Sequence, residues 1–93
     1  MQLGSVRQQP NEVLSYTVDY TEALTPGETI VSVEGFATPD ELEVFNVVPL
    51  DGTAAKLWVT GGTHRARYKV TVRATSSGGR VFEDELMFLI VEV

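Results

Sequence analysis

A reactive group needs a helper beside it, and this 93-residue chain places few such pairs together. His64 is the one histidine, set in Gly61-Gly62-Thr63-His64, and there is no cysteine to share a metal with it. A lone imidazole in such a loop reads as a turn residue. Ser15, Ser32, Ser76 and Ser77 have no base placed beside them by spacing. The acids cluster as Asp40-Glu41-x-Glu43 and Glu83-Asp84-Glu85, and neither has the Asp-x-Asp-x-Asp-Gly rhythm of a calcium loop. Gly61-Gly62 and Gly78-Gly79 lead into strand-like segments, whereas a phosphate loop leads into a helix. The residues therefore predict no enzyme, no metal and no cofactor.

Charge narrows the partners. Thirteen acids against seven Lys and Arg give a net charge of −6, which repels a phosphate backbone. One basic stripe exists, Arg65, Arg67, Lys69 and Arg73, but Glu83 and Glu85 on the following stretch are placed to neutralise half of it. No nucleic-acid partner is expected. The longest apolar run, Leu86 to Val91, is about a third of a membrane-spanning helix, so no membrane partner is expected either. The opening MQLGSVRQQPNEV lacks the apolar core of a signal peptide. Hydrophobic residues at 43% and charged residues at 22% are ordinary for one globular domain.

The elements that would position any site are strands. Residues 1–12 are polar and read as a flexible N-terminal arm; 13–93 read as the folded domain. From Val13 to Tyr20 the pattern has period two, with Leu14, Tyr16, Val18 and Tyr20 on one side. Thr25-Pro26-Gly27-Glu28 fits a type II turn. A second strand is expected over Thr29 to Glu34, with Val31 and Val33 inward, and a break over Gly35 to Asp40. Leu42 to Val48 changes parity midway, which a bulge near Asn46 would reconcile. Thr38-Pro39-Asp40-Glu41 also fits a capping-box helix start, although Val and Phe downstream favour strand. Pro49, Asp51 and Gly52 make a turn, Ala54 to Thr60 a strand, and Arg65 to Thr75 alternates strictly. Six to seven strands without a long helix predict an all-β, immunoglobulin-like or fibronectin type III-like antiparallel β-sandwich.

The last hairpin has an arguable register. A three-residue loop at Ser77–Gly79 sets Ser76 opposite Arg80, Ala74 opposite Phe82, Val70 opposite Leu86, Tyr68 opposite Phe88 and Ala66 opposite Ile90. It also sets Arg73 against Glu83 and Thr71 against Glu85. A two-residue loop would bury both glutamates, which cross-strand ion pairs of ~0.2–1 kcal/mol cannot offset. Asp84 opposite Val72 stays unexplained in this register. Further along, Met87, Leu89, Val91 and Val93 fall on the outer face, where four apolar side chains in a row call for a cover. The cover is either the N-terminal arm or another strand, or else a partner. Trp58 shares parity with Lys56, opposite to Ala55, Leu57 and Val59, and is either laid over a sheet edge or an interface anchor. The candidate partner interface is thus Trp58, Met87, Leu89, Val91 and Val93.

The succession of Pro39, Leu42, Val44, Ala54-Ala-Lys-Leu-Trp-Val-Thr-Gly-Gly-Thr63, Tyr68-x-Val70-Thr71 and Thr75-Ser-Ser-Gly-Gly-Arg80 resembles small tailed-phage virion proteins described as fibre–tail adaptors or neck-associated structural proteins. Asn11 to Tyr20 and Leu24-Thr-Pro-Gly-Glu-Thr-Ile30 are similar to that family's first two strands, so the resemblance covers about Pro10 to Val93. The Gly-Gly-Thr…Tyr68 part also resembles the corner of fibronectin type III domains where a tyrosine hydroxyl ties a loop back. The resemblance implies a virion protein, made in the bacterial host cytoplasm, that contacts connector, tail or capsid subunits and assembles as a homo-oligomer. A capsid decoration protein is the nearest alternative. A receptor- or carbohydrate-binding module of a fibre is another, with Trp58 and Phe36 the aromatics available to it.

Overall fold

Alternating side chains become a two-faced pleated ribbon, and two such ribbons bury their apolar faces against each other. The computed structural model describes residues 2–92 and holds seven strands among them: β1 (Gln2–Gln8), β2 (Val13–Asp19), β3 (Ile30–Thr38), β4 (Leu42–Leu50), β5 (Ala54–Gly61), β6 (Arg67–Ser76) and β7 (Val81–Ile90). They form one sheet of order β1-β7-β6-β3 and one of order β2-β5-β4. The pairing of β7-β6-β3 against β2-β5-β4 is the immunoglobulin-type arrangement, with the first strand placed at the edge of the larger sheet. The expected all-β sandwich is what forms. Every pair is antiparallel except β1 with β7, which is parallel.

The core lies between the sheets. Ala55, Leu57 and Val59 of β5 and Val70, Val72 and Ala74 of β6 have no exposed surface, and Leu42, Tyr68, Phe88 and Ile90 fill the space around them. Each large apolar side chain so enclosed stabilises the fold by about 1.5–3 kcal/mol before chain entropy is set against it. Phe88 also meets Tyr16 edge-on, with ring centroids 5.2 Å apart. Gly62 is required where two apolar layers converge: its φ is +89°, and a Cβ there would lie 2.8 Å from Ile90 Cγ1.

The β6–β7 hairpin has the expected register throughout. Ala74 faces Phe82, Val70 faces Leu86, Tyr68 faces Phe88, Arg73 faces Glu83 and Thr71 faces Glu85. Ser76 N–H donates to the Arg80 carbonyl at 2.8 Å, Gly79 has φ +85°, and Ile90 N–H reaches the Ala66 carbonyl at 3.0 Å. The turn at Thr25–Glu28 closes with Glu28 N–H on the Thr25 carbonyl at 3.0 Å. A bulge does fall at Asn46, which has φ +48° where the β4–β5 register slips between Phe45 and Val48. That extra residue leaves Phe45 outside and brings Val47 in against Gly35.

Three expectations are corrected. Residues 2–8 are not a free arm: they pair along β7 from Gln2↔Glu85 to Gln8↔Ile90. Strand β3 runs on to Thr38, so no break begins at Gly35. Gly35 instead lets β3 approach β4, where an added Cβ would meet Val47 at 3.2 Å and Val44 at 3.3 Å. Val31 points outward and is 55% exposed, because a register shift between Ile30 and Ser32 turns Ile30 and Val33 inward. Residues 38–41 form no helix, in keeping with the preference for strand set by the Val and Phe downstream.

Candidate partner interface

The outer face of the larger sheet is built in rows across β1, β7 and β6. Met87 lies between Ser5 and Lys69, and Leu89 lies between Arg7 and Arg67. Met87, Leu89 and Val91 are half-buried, while Val93 lies outside the described residues. Strand β1 pairs with the edge of β7 and does not fold over this face. The rows set long basic side chains beside the apolar ones, and the aliphatic stems of such side chains shield apolar neighbours. Lys69 is held toward Glu85 at 3.3 Å.

Trp58 belongs to another surface. On β5 it faces away from the core, in register with Ser15 of β2 and Phe45 of β4. The Lys56 ammonium sits 5.3 Å from its ring centroid. Val13 and Val48 share this outer face by register and are exposed. The Trp58 face and the Met87–Leu89 face are therefore on opposite sides of the sandwich, and the five expected interface residues do not form one patch. Phe45, Val13 and Val48 join Trp58, a grouping that sequence parity hides because the bulge at Asn46 reverses the face of everything after Phe45.

Electrostatics divide the molecule further. The basic stripe is half neutralised as expected, by Lys69–Glu85 at 3.3 Å and Arg73–Glu83 at 2.8 Å. Arg80 is held by Glu28, which also accepts from Ser76 Oγ and from the Thr25 N–H. These bonds hold the Glu28 carboxyl far below the usual carboxylate range, Arg80 contributing most. His64 is a turn residue, its Nδ1 accepting the Glu92 N–H at 2.8 Å. The tyrosine corner is present: Tyr68 Oη accepts the Thr63 N–H at 2.8 Å and donates to Glu41 at 3.3 Å.

Asp84, unexplained by register alone, lines an open cleft of about 390 Å³ together with Asp19, Tyr20, Glu22, Phe82 and Glu83. Tyr20 stacks on Phe82 at 5.4 Å between centroids. Its hydroxyl is the one buried side-chain polar atom among the described residues that lacks a well-formed hydrogen bond. Burial, and then the charge of Asp84, push the phenol well above its ordinary pKa of 10.0. Among the described residues no three His, Asp or Glu side chains converge as a metal site would require.

The sandwich thus presents two separate outward surfaces, one around Trp58 and one around Met87 and Leu89. No curated protein matches the chain. Residues 8–89, nearly the whole sandwich, match the family model of the podophage GP4 fiber-tail adaptor protein gp77, and the chain belongs to that family.

Proposed function

We propose that this phage tail adaptor grips two different neighbours at once, through the two outer faces of its sandwich, and does so without catalysis. The observation that carries the reading is the placement of Trp58, with Phe45 beside it, on one side, and of Met87 and Leu89 on the other. An aromatic anchor ringed by Val13, Val48 and Lys56 suits a buried protein contact. Met87, Leu89 and Val91, bordered by Arg7, Arg67 and Lys69, suit a second contact of mixed apolar and charged character. Membership of the adaptor family points to fibre and tail proteins of the virion as neighbours, and to these we add further copies of the adaptor as a contact of our own proposing.

The test is assembly of particles from phage lacking the adaptor gene, complemented with Trp58→Asp or with Leu89→Asp. Each variant, shown to be folded by circular dichroism, is expected to give particles without fibres. Fully fibred, infectious particles from either variant would overturn the use of that face.

A further inference from the structure

The arginines that form no ion pair among the described residues are Arg7, Arg65 and Arg67. They gather at one end of the larger sheet. Arg7 and Arg67 flank Leu89 in a single row, and Arg65 follows beyond it, its N–H donating to the Ile90 carbonyl at 2.6 Å. The Asp84 cleft lies toward the other end of β7, five residues back from Leu89, or ~17 Å along an extended strand. Four carboxylates line this cleft and no cation does. Arg80 stands close by, over the Phe82 ring at 5.0 Å, but it is held by Glu28.

Two side chains in the cleft ask for a ligand. Asp84 is only 6% exposed yet forms no ion pair among the described residues. Tyr20 is 5% exposed, and its hydroxyl is turned toward the Asp84 carboxylate without making a well-formed hydrogen bond to it. A carboxylate this enclosed is costly until a cation meets it. A guanidinium fits both needs, because it can bind Asp84 through two N–H groups and donate a third to Tyr20 Oη. Leu3 and Val81, both exposed at the cleft, offer apolar contact to match Leu89.

We propose that this cleft receives an arginine of a second copy of the chain, so that adaptors join head to tail. The Arg7–Leu89–Arg67 end of one copy enters the Asp84 cleft of the next. Charge complementarity selects the occupant: in a chain of net charge −6, the unpaired arginines are collected at one end and the unpaired buried acid lies toward the other. Two unlike patches make a heterologous contact, which repeats around a ring or along a fibre instead of stopping at a dimer. The inference rests on the reading of the β7 face as a contact surface and names its occupant.

Light scattering after size exclusion tests it on the full chain. The wild type is expected to exceed monomer mass in a concentration-dependent way, and to dissociate as salt rises and screens the charges. Arg7→Glu with Arg67→Glu blocks the head; Glu22→Lys with Asp84→Asn blocks the cleft, with Glu22→Lys alone used if the double variant fails to fold. Each blocked chain is expected to be a monomer. Mixed in equal amounts, they retain one native head and one native cleft, and are expected to form a one-to-one dimer and nothing larger. A wild type that stays monomeric at every concentration overturns the proposal. So does a mixture that stays monomeric, or a blocked variant that dimerises with itself. If the head-to-tail contact fails while Trp58→Asp still strips fibres from particles, the two-faced adaptor reading survives without it.

Discussion

The Gln8 carboxamide is 2% exposed and bonds in three directions. Its Nε2 donates to the Val59 carbonyl at 2.9 Å and to the Glu12 carbonyl at 3.2 Å, and its Oε1 accepts from the Tyr16 hydroxyl at 2.5 Å. One side chain thus ties β1 to the opposite sheet and to the loop that follows it. Burial first, and the charge of Glu12 second, hold the Tyr16 phenol above its ordinary pKa of 10.0, which keeps it a donor at neutral pH. Gln8→Ala is expected to cost about 2–4 kcal/mol in chemical denaturation, because interior acceptors and a donor are left unmet. Tyr16→Phe is expected to cost about 1 kcal/mol in the native background. In the Gln8→Ala background it should cost little, since its acceptor is already gone, and a double-mutant cycle reads the difference. Strictly additive losses would show that the pair does not act together. None of this was legible in Gln8-Gln9-Pro10-Asn11, because a buried, fully bonded amide and a solvated one are the same letter.

The β6–β7 hairpin was the most legible element, for a physical reason. Its inner face is apolar at every second residue from Ala66 to Ala74, and a one-residue slip would carry Glu83 and Glu85 into the core. Strand β1 was the least legible: Gln2–Gln8 holds only Leu3 and Val6 as apolar residues, with no period-two pattern, and it is placed by β7. Trp58 and Met87 were each correctly read as outward, but parity says nothing about which sheet a strand joins, so their separation onto opposite faces was hidden. Equally hidden was the clamp at the hairpin's tip. Glu28 and Arg80 are 52 residues apart, and their ion pair locks the Thr25–Glu28 turn onto the Ser76–Arg80 loop, with Arg80 Nη2 also on the Ala23 carbonyl at 2.7 Å. Since the folded-state pKa of Glu28 lies below its ordinary 4.5, the clamp's contribution is fully present above that value. It is lost as the pH falls from there through the folded pKa. The stability gap between wild type and Glu28→Gln is therefore expected to be constant from pH 8 to about pH 5 and to shrink steadily in more acid solution. Denaturation midpoints across that range measure it, and a gap that widened toward acid would contradict the assignment.

At the scale of the molecule, the sandwich is an elongated body of 44 × 20 × 19 Å with sheet edges to guard. An uncovered strand edge invites pairing with any other edge. In the larger sheet β1 meets that hazard by covering β7, from Gln2 opposite Glu85 to Gln8 opposite Ile90. Gln8 anchors the far end, where its own carbonyl also accepts the Val91 N–H at 2.9 Å. A chain starting at Gln9 would bare the Leu86–Ile90 edge, which is apolar at every position. It would also remove Val6 from the core margin and Arg7 from the proposed head. The truncated chain is expected to be less stable than Gln8→Ala, since it loses the whole parallel ladder as well as the amide. It is also expected to associate through edge pairing, giving β-rich aggregates that grow with concentration. Salt separates this from head-to-tail contact: apolar edge pairing should persist or strengthen at ionic strengths that dissolve an arginine–carboxylate contact. Light scattering and urea denaturation of the two chains side by side provide the measurement. A truncated chain that stayed monomeric and matched the stability of Gln8→Ala would show that β1 neither guards the β7 edge nor belongs to the cooperative unit.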